Sequence, residues 1–139
     1  MRIKFIILTI ISLSVLFGQG STWSTQTSGT SSNLSGAYFL NSTTGWVVGS
    51  SGAIYTTTDG GATWISQSYP TSCTNRSFND VFFTSSDRGY AIAESGSFCE
   101  TSNGGSTWSN VTVSGMDKMS SAQGLNSIFF VDENIGWIV

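Results

Sequence analysis

The sequence predicts an all-β protein made of repeated units. Residues 57–64 read TTDGGATW and residues 101–108 read TSNGGSTW, so one motif occurs twice, with its tryptophans 44 residues apart. Only 9% of residues are charged and 13% are aromatic, and glycine is frequent, as in β proteins with many turns. A period of about 40 to 50 residues is typical of β-propellers, in which each repeat is a blade of four short strands. We therefore predict a β-propeller with antiparallel four-stranded blades.

The amino terminus differs in composition from the rest of the chain. Arg2 and Lys4 precede an apolar run at residues 5–17, and Gly18 and Gly20 offer small residues for cleavage. The run is shorter than the stretch of about 20 apolar residues that spans a bilayer. We expect a secretory signal peptide at residues 1–20, cleaved near Gly20. The mature chain, residues 21–139, is then expected without a membrane span and as secreted, periplasmic or cell-surface protein.

The first strand of each unit is predicted from alternating apolar residues. Such alternation occurs at residues 34–40, 78–83 and 125–131. Because side chains alternate across a strand, one face of each strand should look toward the neighbouring blade. The residues expected on that face are Ala37 and Phe39, Val81 and Phe83, and Ile128 and Phe130.

The second strand of each unit follows a polar turn and starts with glycine and an aromatic residue. These pairs are Gly45 and Trp46, Gly89 and Tyr90, and Gly136 and Trp137. Third strands are expected at residues 53–57 and 97–101, and fourth strands begin at the motif tryptophans. The landmarks recur after 44 and then 47 residues, so the three extra residues belong in a loop within 113–124. We predict an incomplete ring with units at about 34–68, 78–113 and 125–139, the last one partial.

The repeated motif has the composition of a hairpin turn between third and fourth strands. An Asp or Asn accepts backbone N–H bonds, and the two glycines after it can take positive φ. The threonine hydroxyls can bond locally, and the tryptophan can cover the turn while its indole N–H finds an acceptor. The residues given this structural role are Thr57, Asp59, Gly61, Thr63, Trp64, Thr101, Asn103, Gly105, Thr107 and Trp108.

This motif resembles the Asp-box, or BNR repeat, and residues 57–64 fit its pattern at every defined position. Residues 101–108 depart from the pattern only at Asn103. Together with the glycine–aromatic strands, the chain from residue 21 to 139 resembles the photosystem II assembly and stability factor family (Ycf48/Hcf136-like). The resemblance implies a noncatalytic propeller that binds a protein partner. It also implies an arginine-rich patch, whereas Arg76 and Arg88 are isolated in this sequence.

Sialidases and other glycosidases also carry Asp-boxes, so the motif is also compatible with an enzyme. A sialidase-like site requires three arginines, and only Arg76 and Arg88 follow residue 20. The chain contains no histidine, so serine, cysteine and metal-dependent triads have no candidate members. A glycosidase needs two carboxylates on either side of one sugar, and the sequence spacing does not single out such a pair. The candidate carboxylates are Asp80, Asp87, Glu94, Glu100 and Asp117. We expect no catalytic residues, no cofactor and no metal, and a carbohydrate-active propeller fragment is the alternative.

The charge of the chain argues against nucleic acid as a partner. Past residue 20 the basic residues are Arg76, Arg88 and Lys118, against eight acidic ones. We expect a protein partner, with carbohydrate as the second choice. Loops after the second and fourth strands share the face opposite the motif turns, and they are the expected binding loops. Their candidate residues are Asn75, Arg76, Glu94, Asp117 and Lys118.

Two cysteines, Cys73 and Cys99, lie in the part of the chain that is expected outside the cytoplasm. Export permits them to pair, and closing that loop would stabilise the fold by about 3 to 4 kcal/mol. The alternative is two separate thiols, with Cys99 as a small core residue.

Overall fold

The computed structural model describes residues 25–68, 77–111 and 124–139. Its strands form three antiparallel sheets, and neighbouring strands in each sheet are consecutive in sequence. Within these ranges there is no helix long and apolar enough to cross a membrane. The predicted signal peptide, residues 1–20, lies outside the described residues.

Two of the sheets have four strands and the third has two. The first sheet contains β1 (Leu34–Phe39), β2 (Gly45–Gly49), β3 (Ile54–Thr57) and β4 (Ile65–Ser66). The second contains β5 (Phe78–Phe83), β6 (Gly89–Ala93), β7 (Ser97–Thr101) and β8 (Ser109–Asn110). The third contains β9 (Ile128–Phe130) and β10 (Gly136–Ile138). The prediction of four-stranded antiparallel blades, with a partial third, is confirmed.

The second strand is the buried centre of each full blade. Every residue of β2 and of β6 is buried, as their near-continuous apolar sequences predict. The fourth strands β4 and β8 are short and exposed, which is a common way to limit pairing at a sheet edge. Short 3-10 turns, Ser50–Gly52 and Glu94–Gly96, join the second strand to the third.

The predicted neighbour-facing side of the first strands is confirmed for the second and third blades. Val81 and Phe83 are buried in a core cluster that includes Trp46 and Val48 of the first blade. Ile128 of the third blade is buried in a second cluster, with residues of the second blade. The hydrophobic core therefore lies between blades rather than inside one sheet.

A β-bulge modifies the simple alternation near the start of the first strand. The register of β5 on β6 shifts between Phe78 and Asp80, and β1 has the same shift between Leu34 and Gly36. The extra residue brings Phe78 and Val81, three positions apart, into the same buried core. Strict two-residue periodicity could not predict this pairing.

The glycine of each glycine–aromatic pair has a packing reason. A Cβ placed on Gly89 would lie 2.5 Å from the ring of Phe83, and one on Gly45 would lie 2.7 Å from the ring of Phe39. The ring of the first strand thus lies directly over the glycine of the second. Glycine is required at the start of the second strand because the ring and the backbone approach each other too closely for a side chain.

Candidate functional site

Both motif turns fold as hydrogen-bonded hairpins centred on the Asp or Asn side chain. In the first, Asp59 Oδ1 accepts the Thr63 N–H (2.8 Å) and the Thr57 hydroxyl (2.8 Å), and its Oδ2 accepts the Thr63 hydroxyl (2.6 Å). The buried Thr57 hydroxyl oxygen in turn accepts the Gly61 N–H at 2.9 Å. Gly60 and Gly61 both have positive φ, as the turn requires.

These bonds keep Asp59 ionised. The Thr63 hydroxyl, the Thr63 N–H and the Thr57 hydroxyl together lower the pKa of Asp59 to about 2. A carboxylate in this state cannot supply a proton near neutral pH, and all its strong bonds are directed into its own turn. The geometry of Asp59 therefore indicates that it stabilises the turn.

The second motif turn reproduces this geometry without a charge. Asn103 Oδ1 accepts the Thr107 N–H (2.9 Å) and the Thr101 hydroxyl (3.0 Å), while its Nδ2 donates to the Thr107 hydroxyl (2.8 Å). The Thr101 hydroxyl oxygen accepts the Gly105 N–H at 2.9 Å. The expectation that each motif indole N–H finds an acceptor is wrong for Trp108, whose buried Nε1 has no hydrogen-bond partner within the described part of the chain.

The motif turns lie at the end of the sheets where the first strand meets the second. The Gly60 N–H donates to the Thr43 carbonyl and the Gly104 N–H to the Asp87 carbonyl, each at 2.8 Å. The Trp46 indole donates across blades to the Gly104 carbonyl at 3.0 Å. The turns therefore connect hairpins within a blade and adjacent blades with each other.

The expected binding loops lie at the opposite end of the strands, and one of their candidate residues is described. Glu94 is exposed in the 3-10 turn Glu94–Gly96, and its N–H donates to the Ser77 carbonyl at 3.0 Å. The other candidates, Asn75, Arg76, Asp117 and Lys118, lie outside the described residues.

Of the two cysteines in the predicted disulfide, Cys99 lies within the described residues. Cys99 is completely buried in β7, opposite Ala91 of β6. Cys73 lies outside the described residues, so the Cys73–Cys99 pair stays a prediction.

A groove between the blades, at the motif-turn end, is the feature that sequence reasoning missed. Its volume is about 340 Å³. The residues that line it, called the aromatic groove below, are Tyr38, Phe82, Phe83, Thr84, Phe130, Val131, Asp132 and Glu133. Its exposed lining is about equally polar and apolar: aromatic and aliphatic side chains lie beside Thr84, Asp132 and Glu133.

Aromatic rings from three successive first strands contact one another here: Tyr38 and Phe82 line the groove, and Phe129 lies beside it against Phe82. Tyr38 and Phe82 have ring centroids 4.6 Å apart, and Phe82 and Phe129 are 5.7 Å apart. Desolvation raises the pKa of Tyr38, so its hydroxyl stays neutral. Each of the three aromatic residues directly follows a residue predicted to face the neighbouring blade, namely Ala37, Val81 or Ile128. The sequence therefore already places an aromatic residue on the opposite face of each first strand.

The mouth of the aromatic groove is acidic. Asp132 Oδ1 accepts the N–H groups of Asn134 (2.7 Å) and Ile135 (2.9 Å), and the neighbouring Glu133 is exposed. Arg88 is the one basic side chain among the residues that the structure describes, and its Nε donates to the Tyr90 hydroxyl at 2.7 Å. Within the described residues, the groove therefore combines aromatic side chains with two carboxylates at its rim, Asp132 and Glu133.

A second cavity, of about 310 Å³, lies between β7 and β10 and is lined by Tyr90, Phe98 and Ile138 among others. In the first pair of blades the equivalents of Tyr90 and Phe98 are Trp46 and Ile54, which are buried in one core cluster with Cys99 and Trp108. The cavity is thus an incompletely covered contact between blades. Across residues 25–68, 77–111 and 124–139 there is also no group of three side chains suited to a metal ion.

Solved structures of other proteins have the same fold as this chain. No protein-family model and no curated protein matches the chain. A solved structure of YCF48 bound to D1 peptide is 22% identical with a TM-score of 0.69, over 81% of this chain and 35% of that one. A structure of YCF48 from Cyanidioschyzon merolae is 26% identical with a TM-score of 0.61, over 78% of this chain and 31% of that one. The chain has the fold of a YCF48-like β-propeller and spans about a third of the length of these structures.

Proposed function

We propose that this chain is an exported, noncatalytic propeller module that binds protein, and that it takes an extended peptide segment into the aromatic groove. The observation that carries the proposal is the row of contacting rings across three blades, with Tyr38 and Phe82 in the groove and Phe129 beside it. Aromatic side chains provide much of the binding energy in protein interfaces, because they bury a large area with few rotatable bonds.

The groove also indicates the composition of the peptide. Its aromatic and aliphatic side chains suit one or more apolar side chains of a ligand, which gain free energy when they leave water. Its rim, with Asp132 and Glu133, suits a lysine or arginine beside them. We therefore propose a ligand with neighbouring apolar and basic residues.

The fold comparison supports this class of ligand. YCF48, a propeller of the same fold, has been solved with a D1 peptide bound. Folds are reused for many functions, so the support extends to the kind of ligand and not to its sequence.

The test is selection of peptides from a random display library on the purified chain, followed by fluorescence anisotropy of the selected peptides. Val131→Ser removes an apolar group from the groove, and Glu133→Gln removes a charge from its rim. The matched control is Ile65→Ser on β4, because Ile65 and Val131 are both 59% exposed. Variants are compared at low protein concentration after circular dichroism has shown equal folding.

We expect selected peptides rich in apolar and basic residues. Val131→Ser should weaken binding about 3- to 10-fold, the loss expected for one partly buried apolar contact. Glu133→Gln should weaken it mainly at low salt, because salt screens a rim charge. Equal binding by Val131→Ser and Ile65→Ser would overturn the groove assignment. Selective binding on a glycan array, without peptide binding, would favour the carbohydrate-active alternative instead.

A further inference from the structure

The two motif turns differ at a position that matters for covalent chemistry. The first turn has Asp59 before Gly60, and the second has Asn103 before Gly104. Asn103 is the only asparagine in the sequence that precedes a glycine. Asparagine is most prone to spontaneous deamidation before glycine, because glycine has no side chain to hinder attack by its backbone nitrogen. By sequence, the second motif turn therefore contains the most reactive asparagine of the chain.

Deamidation of this pair is an internal substitution followed by hydrolysis. The Gly104 backbone nitrogen loses its proton and attacks the side-chain carbon Cγ of Asn103, and the Cγ–Nδ2 bond breaks to release ammonia. Water then opens the resulting succinimide ring at either of its two carbonyls. One opening gives aspartate at position 103, and the other gives isoaspartate, in which the main chain passes through the side-chain carbon. Water is the only co-reactant.

The hydrogen bonds of the Asn103 amide oppose this reaction, although the side chain is exposed to water. Its Oδ1 accepts the Thr107 N–H (2.9 Å) and the Thr101 hydroxyl (3.0 Å), and its Nδ2 donates to the Thr107 hydroxyl (2.8 Å). Both terminal atoms of the amide are thus bonded within the turn. Any rotation of the amide breaks these bonds, so the closed turn holds the amide in one orientation.

The attacking nitrogen is held in place as well. The Gly104 N–H donates to the Asp87 carbonyl at 2.8 Å, and the Gly104 carbonyl accepts the Trp46 indole N–H at 3.0 Å. Trp46 is buried and belongs to the neighbouring blade. A hydrogen-bonded N–H gives up its proton less readily, because the bond is lost with the proton. The turn must therefore separate from these partners before Gly104 can attack.

We propose that Asn103 is a site of spontaneous deamidation that is inert while the second motif turn is closed and reacts when the turn opens. The rate in the folded protein then follows the fraction of molecules in which this turn is open. Each hydrogen bond at the amide lowers that fraction. The modification thus records opening of the turn, and it does not depend on a ligand in the aromatic groove.

The first motif turn shows how an aspartate product fits. Asp59 accepts from the equivalent N–H and from both equivalent threonine hydroxyls. The Thr63 hydroxyl donates to Asp59 Oδ2, whereas the Thr107 hydroxyl accepts from the amide of Asn103. Because a threonine hydroxyl can donate or accept, its rotation accommodates the carboxylate. Isoaspartate inserts an extra carbon into the main chain and cannot keep the same pattern of turn bonds.

The experiment follows deamidation of the purified protein by mass spectrometry with peptide mapping. Samples are incubated at mildly alkaline pH, in native buffer and in the same buffer with urea. Thr107→Val removes the hydroxyl that accepts from Asn103 Nδ2. The matched control is Thr63→Val in the first turn, because both threonines are exposed and occupy equivalent positions. Circular dichroism verifies folding in native buffer, and the wild-type comparison depends on neither variant.

In urea, wild type and both variants should deamidate at Asn103 at the same rate, because the reacting pair is unchanged. In native buffer, wild type should react more than about 10-fold more slowly than in urea, since several bonds must open first. Thr107→Val should raise the native rate about 2- to 10-fold, the effect of one lost hydrogen bond on the opening equilibrium. Thr63→Val should leave the native rate unchanged.

Equal rates for wild type in native buffer and in urea would overturn the proposal, because the turn would then give no protection. Absence of reaction at Asn103 in urea would also overturn it. The same acceleration by Thr63→Val and Thr107→Val would assign the reaction to general destabilisation and thus contradict control by this turn.

The fit of the products is tested after ion exchange has separated them. The aspartate product should refold and melt close to wild type, and the isoaspartate product should melt at a clearly lower temperature. Equal melting of the two products would show that the second turn does not require the geometry of the first.

Discussion

The indole of Trp46 lies face to face with the ring of Phe83, with centroids 3.5 Å apart and planes at 10°. These residues belong to different blades, so the best-aligned ring pair of the described core joins one sheet to the next. Phe83 also contacts Trp108 edge-on at 5.9 Å. One phenylalanine therefore connects the second strand of the first blade with the motif turn of its own blade.

Phe83→Ala should destabilise the protein by about 3 to 5 kcal/mol, because a fully buried ring leaves both its transfer free energy and a cavity behind. Phe39→Ala, at the same repeat position but 44% exposed, is the matched control and should have a clearly smaller effect. Urea unfolding followed by tryptophan fluorescence measures both. Equal losses would mean that contact between the blades contributes little to stability.

Gly89→Ala should lower the free energy of unfolding by about 1 to 3 kcal/mol through overpacking, because the new Cβ would lie 2.5 Å from the Phe83 ring. Gly124→Ala is the control, since no heavy atom lies within 4 Å of a Cβ there. Thermal unfolding of the two variants and wild type makes the comparison. A Gly89→Ala protein as stable as Gly124→Ala would show that the ring can move aside.

The Asp59 turn should make stability depend on pH in the acid range. Its folded-state pKa is lowered to about 2, below the ordinary value of 3.8, so its contribution is complete above about pH 4. The contribution is lost as pH falls from there through the folded pKa. Asp59→Asn imitates the uncharged second turn and removes this dependence.

The measurement is the melting temperature of wild type and Asp59→Asn between pH 2 and pH 7. Because other carboxylates titrate in both proteins, the difference between the two curves isolates Asp59. We expect this difference to be constant above about pH 4 and to shrink toward pH 2. A difference that does not vary with pH would show that the turn bonds do not favour the charged form.

The predicted Cys73–Cys99 disulfide can be tested on the exported protein. Intact mass and thiol titration under denaturing, nonreducing conditions should show no free thiol. Reduction should then lower the free energy of unfolding by about 3 to 4 kcal/mol, as expected for closure of a loop of this length. Two free thiols in the unreduced protein would contradict the pairing and favour Cys99 as a buried core thiol.

The sequence by itself determined the blade plan. Gly45 and Trp46, Gly89 and Tyr90, and Gly136 and Trp137 start the second strands as predicted, and the predicted β5 and β7 have the observed bounds. Such features are local, since alternation, turn glycines and a fixed period are read within one repeat. The polar residues of the motif were likewise sufficient to predict which of them come together in the turn.

Tertiary structure alone decided how the blades meet. The bulge that brings Phe78 and Val81 into one core is a register shift between β5 and β6, and the aromatic groove joins residues about 40 positions apart or more. A period in the sequence does not specify the distance and angle between sheets, because these follow from side-chain packing across them. That packing stacks Trp46 of the first blade on Phe83 of the second, a pair that the period of the sequence does not identify.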